Sequence, residues 1–378
     1  MGIRRSILEI CVTAMRMVSR FPEAKEPRSI LVLRNNDLGD LVIVTPLFQA
    51  LRAAFPNARI VVAVGPWAKD ILKNNPYISE VVECNAPWNN HHAGPRSLVR
   101  PLKYIFSSPE MARFKAENFD ACIDVVGSIF GSMFMIKLGI PTRVGRKGYG
   151  GGHTGATAFL ENTFTTSVSE GAVSYVRLLK QDAKVNFDLR PQLFLDGAEI
   201  EEAEKVWKHV EGADNNHRPR IVVAPAAGIP EKQWPTAMFA DLVRRLAKET
   251  CGCVLGSPDN FEMGESIVQQ LDGWSNRCGR ASIRQSMAII SMADLVICPP
   301  TFSMHLAAAF NKPCVLILPA YFDPKEHAFY WEIKGVHHQL FPRNGEKHVQ
   351  VMDVENMATS LLRSLREKQV TNLGSDLL

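Results

Sequence analysis

Apolar positions along this chain fall into short runs rich in Val, Ile and Leu, each followed by a longer stretch where they recur at helical spacing. "ILVL" from Ile30, "ARIVVAVG", "VVEC" and "ACIDVVG" form one series, and "RIVVAPAAG" from Arg220, "GCVLGSP", "ADLVICPP" and "KPCVLILP" form a second. Strands alternating with helices in this way predict parallel sheets with helices on both faces. Leu41 to Phe55 reads as one helix. Between the two series, "DGAEIEEAEKVWKHVEGADNNHRPR" reads as a charged helix followed by unpatterned polar residues, the look of a linker. The expected organisation is a segment at 1–28, α/β domains at 29–195 and 219–352 joined by a linker at 196–218, and a closing helix and tail at 353–378.

The leading segment has its own pattern. Ile7, Leu8, Cys11, Met15 and Val18 fall at helical spacing beside Arg4, Arg5, Arg16 and Arg20. Two readings fit: a helix lying on an anionic membrane surface, and a helix packed on its own domain. Composition adds only bounds. The 378 residues are 46% hydrophobic and 22% charged with a net charge of +4, ordinary for a soluble protein and too mild to suggest a nucleic-acid partner. No run of 18 apolar residues predicts a spanning helix, and the broken N-terminal pattern does not read as a secretory signal. The eight cysteines sit mostly in apolar runs, which suits a reducing cytoplasm.

In open parallel sheets, ligands bind beyond the carboxyl ends of the strands, so candidate chemistry is sought there; two such domains facing each other would share one cleft. "RNNDLGDLV" places Asp37, Gly39 and Asp40 where a strand meets a helix. The helix dipole favours an ionised Asp40, a fit state for a base, while the plainer reading has Asp37 or Asp40 cap the helix. "APAAGIPEKQWP" sets Lys232 in a small-residue loop before a helix, where it suits a phosphate, although a lone lysine is usually solvated. "CPPTFSMHLAAAF" opens a helix at which Thr301 or Ser303 caps and the N–H groups of Ser303, Met304 and His305 could meet a diphosphate; an ordinary capped helix with a bonded histidine explains it equally. "PTRVGRKGYGGGHTG" (141–155) joins Arg143, Arg146 and Lys147 to a run of glycines, and reads as a mobile cationic loop for an anionic partner, not a P-loop. No D-x-D ends a strand, and the adjacent pairs His91-His92 and His337-His338 point apart, so no metal site is expected.

Taken in series, the opening "LVLRNNDLGDLVIVTPLFQALRAAFPNARI", the "NPY" after it, "EKQWP", "LGSPDN" and "TFSMHLAAAFNKPCV" resemble glycosyltransferase family 9, the heptosyltransferases of lipopolysaccharide core assembly. The resemblance implies a GT-B architecture of two Rossmann-like domains: an acceptor-binding first half, a nucleotide-binding second half, and neither metal nor other cofactor. By its pattern Asp40 is the general base, Lys232 and the helix opening at Thr301 steady the departing diphosphate, and the anomeric carbon inverts. Gly228, Thr301, Ser303, Met304, His305 and Asp259 fall on the nucleotide side, and Gly39, Arg143, Arg146 and Lys147 on the acceptor side. The implied donor is ADP-heptose and the implied acceptor an anionic lipid-linked saccharide at the cytoplasmic face of the membrane. Three departures stand out: Pro300 and Phe302 replace the family's Asp and Gly, and "APAAG" replaces "HPG". They leave open another nucleotide sugar, or a relative that binds without catalysis. An epimerase or dehydrogenase would need a glycine fingerprint after the first strand, which is missing.

Overall fold

The computed structural model describes residues 2–88, 97–147, 150–161, 167–184, 189–212, 218–331, 333–343 and 345–375. The pair His91-His92, Gly148 of the glycine run and residues 213–217 of the expected linker lie outside them. The chain forms two compact units, Met1–Phe194 and Leu195–Leu378.

The first unit is built on strands β1 (Ser29–Leu33), β2 (Arg59–Val64), β3 (Glu80–Glu83), β4 (Ala121–Asp124), β5 (Thr142–Arg146) and β6 (Ala158–Leu160). All pair in parallel, in the order β3-β2-β1-β4-β5-β6. Its helices are α1 (Gly2–Val18), α2 (Leu38–Ile43), α3 (Pro46–Ala54), α4 (Val99–Ser107), α5 (Pro109–Ala116), α6 (Ile129–Leu138) and α7 (Val168–Leu179). The single helix expected over Leu41–Phe55 is two, because Pro46 carries no N–H for a continuous ladder and instead begins α3. Helix α1 packs on α6, with Val12 fully buried and Leu8 and Met15 against the same core. That face follows the own-domain reading of residues 1–28.

The mobile loop expected at 141–155 is corrected. Thr142–Arg146 is strand β5, and Gly145 within it and Gly152 after it pack against backbone, while Gly151 and Gly155 lie against the side chains of Ile129 and Ile136. A Cβ on Gly145 would strike the carbonyl oxygen of Gly152, and one on Gly152 would strike the backbone of Gly127. Glycine density here serves close approach, not freedom.

The second unit repeats the plan with β7 (Arg220–Val223), β8 (Cys251–Val254), β9 (Trp274–Asn276), β10 (Leu295–Cys298), β11 (Cys314–Ile317) and β12 (His337–Leu340). The order β12-β11-β10-β7-β8-β9 is the same arrangement, again all parallel. Helices α8 (Gly197–Glu211), α9 (Thr236–Leu246), α10 (Phe261–Val268), α11 (Ile283–Ser291), α12 (Phe302–Ala309), α13 (Pro324–Trp331) and α14 (Val351–Ser375) accompany it. The helix expected in the linker is α8, and it belongs to this unit. Asp196 and Glu199 close a capping box at its start, Trp207 is buried and donates to the Ile289 carbonyl, and Glu199 pairs with Arg284 of α11. In both sheets the strand order reverses beside the first strand, between β1 and β4 and between β7 and β10. Those two switch points are where ligands bind in such folds.

Candidate functional site

At the first switch point, β1 runs into Arg34-Asn35-Asn36 and then α2. Three side chains tie this turn down. Asn35 is buried and donates to the carbonyls of Ala86 (2.8 Å) and Trp88 (3.2 Å). Trp67 Nε1 donates to the Asn36 carbonyl at 3.2 Å. Arg34, also buried, donates through Nε (3.1 Å) and Nη2 (3.0 Å) to the backbone carbonyl of Asp40. Its Nη2 lies 3.7 Å from Asp40 Oδ1. The Asp40 side chain is 32% exposed, so one side of the carboxylate rests on a cation and the other is open to an incoming group. Asp37 occupies the N-cap position but its side chain makes no capping bond. Gly39 stands half-buried beside it in the first turn.

The β4 end faces the same edge. Asp124 is buried and accepts from the Ser128 N–H at 2.8 Å, with the Val126 and Gly127 N–H groups also bonded. Burial lifts its carboxyl to about 6, against the pull of those N–H groups and of Arg34. Arg34 therefore stands between two acids. A Cβ at position 131 would overlap the Asp124 carboxylate, which fixes Gly131.

The three basic residues assigned to the acceptor separate. Arg143 is a structural residue: it is buried, bonds the carbonyls of Gly155, Ile140 and Pro141, and stacks 4.0 Å from the Phe21 ring centre. Its expected place on an acceptor-facing loop is corrected. Lys147 is exposed and paired with Glu161 at 3.0 Å. Arg146 ends β5 with its Cβ against Gly127, and its buried Nε has no partner among the described residues. Of the three, Arg146 keeps the free capacity an anion would use.

At the second switch point, β7 leads through Ala224 and an exposed Gly228, around which a Cβ would meet nothing within 4 Å, to a turn at Pro230–Lys232. Trp234 anchors the turn: its Nε1 donates to the Val349 carbonyl at 2.9 Å and its ring meets Phe239 edge-on. Lys232 Nζ sits 5.6 Å from the centre of the Phe322 ring. A cavity of about 490 Å³ opens beside it, lined by Lys232, Trp234, Pro319, Tyr321, Lys347 and His348. Its lining sets two ammonium groups, Lys232 and Lys347, against one carboxylate, Glu231, beside exposed aromatic surface and an apolar floor, which is the size and net charge for a small ligand with an anionic part.

The α12 turn differs from its expectation in three ways. Thr301 is the N-cap residue, yet its side chain makes no capping bond. The Met304 N–H is taken by the Thr301 carbonyl at 3.2 Å, so it is not a donor for a ligand. Ser303, Met304 and His305 are all buried. His305 sits 5.8 Å from Trp331, edge to face, and its Nδ1 finds no hydrogen-bond partner among the described residues. Burial, with His337, His327 and Lys232 nearby, lowers it to about 3, so its imidazole is neutral. His327 is lowered to about 4, chiefly by burial. His337 accepts from the Ile333 N–H at Nδ1, and its Nε2–H therefore donates to the Met304 carbonyl at 2.9 Å. Asp259 is exposed at the end of β8, two strands from β10 in the sheet.

Several participants were not picked out from the sequence. Arg34 directly follows a buried strand, a signal available to any reading of strand ends that weighs cations as well as acids. Asp124 likewise ends a strand. Tyr321, His327, Lys347 and His348 are brought in from distant loops, and nothing in their local pattern marks them.

The family model for glycosyltransferase family 9 (heptosyltransferase) matches residues 111–329. Lipopolysaccharide heptosyltransferase 2 of Escherichia coli strain K12 is 25% identical over 314 residues, which cover 79% of this chain and 86% of that protein. Among solved structures, the family 9 glycosyl transferase of Veillonella parvula DSM 2008 superposes with a TM-score of 0.74 at 17% identity, covering 90% of this chain and 99% of that one. E. coli ADP-heptose lps heptosyltransferase II gives 0.68 at 19%, with the same coverage. Two Rossmann-like units of matching strand order, and this likeness to heptosyltransferases, make the fold GT-B. The chain belongs to glycosyltransferase family 9.

Proposed function

We propose that this glycosyltransferase moves a heptose from ADP-heptose onto a lipopolysaccharide core or a related lipid-linked saccharide. The acceptor is assigned to the first unit and the donor to the second. Asp40 takes the proton of an acceptor hydroxyl; the oxygen forms its bond to the anomeric carbon as the bond to the diphosphate breaks, and ADP leaves with inversion at that carbon. Lys232 steadies the charge that grows on the diphosphate, a stabilisation placed where charge develops. The reading calls for no metal and places the enzyme at the cytoplasmic face of the membrane that holds its acceptor.

The observation that carries it is the related placement of Asp40 and Lys232, each shortly after the first strand of its sheet, Asp40 in the first turn of α2 and Lys232 at the end of the turn Pro230–Lys232. The heptosyltransferase names of the relatives support the sugar. Transfer to a deep-rough core acceptor, measured with ADP-heptose beside other nucleotide sugars, tests it. ADP-heptose should be the best donor, and Asp40→Ala should lose about 10²-fold or more in kcat. An Asp40→Ala enzyme as fast as the wild type sinks the assignment of the base.

A second reading concerns the donor alone. Pro300 is buried and Phe302 half-buried at the α12 opening, where the family pattern has Asp and Gly. A larger side chain beside a nucleotide site favours a different nucleotide sugar, which the same panel would reveal by its preferred substrate. Loss of transfer with every donor, together with retained nucleotide binding, would identify a binding relative.

A further inference from the structure

Helix α1 carries apolar residues on two faces. Leu8, Val12 and Met15 turn onto α6. Ile7, Ile10, Met17 and Val18 turn outward, 54%, 67%, 80% and 83% exposed, with Cys11 and Ala14 exposed among them. At about 100° per residue these positions share one stripe roughly 17 Å long. The side expected to read as a single amphipathic face is thus two, and only one is used by the fold.

Helix α4 packs on α6 as well. Its Val99 and Phe106, 72% and 51% exposed, share an outward face with exposed Lys103, at i, i+7 and i+4. Lys137 of α6 holds its ammonium 5.2 Å from the centre of the Phe106 ring. Arg100, Lys103 and Lys137 give α4 and α6 three cations and no acid, while on α1 Arg5 is paired with Glu9 and Arg16 stands off the outward stripe. The whole chain carries only +4, so these three cations are a large share of its excess positive charge.

We propose that the outer faces of α1 and α4 form one docking surface for an anionic lipid bilayer, with both helices lying in the interface plane. Acyl chains accept the Ile, Met, Val and Phe side chains, while headgroup phosphates attract the lysines and arginines, each adding about fivefold to affinity. A second copy of the chain fits less well, because a symmetric contact would set these cations against themselves. Among the described residues no helix is long and apolar enough to cross a membrane, and an in-plane contact needs only one apolar face. The proposal rests on the transferase reading for its purpose, since a lipid-linked acceptor lies in a bilayer, but not for its chemistry.

Flotation of the full chain with phosphatidylcholine vesicles, with and without one third phosphatidylglycerol and with no donor or acceptor present, tests it. The wild type should float with the anionic vesicles and be released by salt. Ile10→Ser/Met17→Ser and Val99→Ser/Phe106→Ser should each lower the bound fraction about tenfold or more at an unchanged Tm. Equal flotation of either double variant, or no flotation of the wild type, overturns the proposal. So does a dimer, seen by sedimentation, that the same substitutions dissolve while vesicles go unbound. Transfer to a delipidated, soluble acceptor should be unaffected in both variants, so failure of this surface and failure of the transferase reading give different results.

Discussion

The buried guanidinium of Arg34 sends Nε and Nη2 to one acceptor, the Asp40 backbone carbonyl, at 3.1 and 3.0 Å, and the same Nη2 lies 3.7 Å from the Asp40 carboxylate. A planar fork fixes the position of Asp40 more tightly than a single charge could, and lysine cannot reproduce it. Arg34→Lys should therefore lower kcat about ten- to a hundredfold with little change in donor KM, because misplacing a catalytic group by an ångström is enough for such a loss. The split between parameters separates this from general damage: Tm and donor KM should stay near wild type while kcat falls, whereas a purely structural defect would lower Tm as well.

Lys232 is the matching group of the second unit, a point charge at the mouth of the 490 Å³ cavity and over the face of Phe322. Lys232→Gln keeps the stem and removes the charge. The stabilisation by ADP should shrink; for the wild type a hundredfold excess over Kd is worth about 2.7 kcal/mol in a thermal-shift or urea measurement. An undiminished ADP shift in the variant would remove Lys232 from the diphosphate.

Arg143 and Lys147 are four residues and one strand end apart, yet substitution should separate them cleanly. Arg143→Ala strips hydrogen bonds from three backbone carbonyls and leaves a gap under Phe21. The cost should be about 2–4 kcal/mol in urea unfolding, with near-normal activity per folded molecule. Lys147→Ala loses only an exposed ion pair with Glu161 and should change stability by less than about 0.5 kcal/mol.

That contrast also marks how far the sequence could be read. The interior apolar strands β1, β2, β4, β7, β8, β10 and β11 are legible because burial on both faces demands a nearly unbroken apolar run, and the edge strand β3 shows through its Val pair. Strands β6, β9 and β12 lie at sheet edges and need no such run: "AFL", "WSN" and "HHQL" carry no strand period. Strand β5 was hidden by arginine and glycine, whose roles there, carbonyl binding and close approach, depend on the chain segment around Gly152 and Gly155, beyond the strand itself. The positions of Asp40 and Lys232 past the first strand of each sheet were legible because each follows a readable strand. His327 and Tyr321 were not, since only the folded sheet gathers the loops after β10 and β11 beside the turn after β7.

Acid should weaken the two units in opposite senses. His305 and His327 are neutral in the fold, at about 3 and about 4, whereas unfolded histidines take a proton near pH 6.5. Below that pH the unfolded chain binds more protons, and stability drains as pH falls toward 4. From pH 7 to pH 5 each should cost the second unit about 2 kcal/mol. Asp124 behaves in reverse. Its carboxyl is held at about 6, above the unfolded value, so the first unit gains about 1 kcal/mol over the same interval. Urea unfolding of His327→Gln and Asp124→Asn at the two pH values should recover each share; unchanged slopes would contradict the assignment.

The glycine run after β5 supplies the most severe test of the packing. Gly152 donates its N–H to the Gly127 carbonyl at 3.0 Å, and any Cβ there would overlap the Gly127 backbone. Backbone cannot rotate aside as a flexible side chain would, so the clash must be relieved by separating the segment around Gly152 from the turn at Gly127 that leads into α6. That turn also holds Asp124 through the Ser128 N–H. Gly152→Ala should therefore cost about 3 kcal/mol or more and lower transfer as well, because the β4 end moves with it. Gly139→Ala is the control: its φ of 75° carries a strain of about 1 kcal/mol, but a Cβ there meets nothing within 4 Å. Equal stability losses in the two variants would return the run to the flexible loop that its composition suggests.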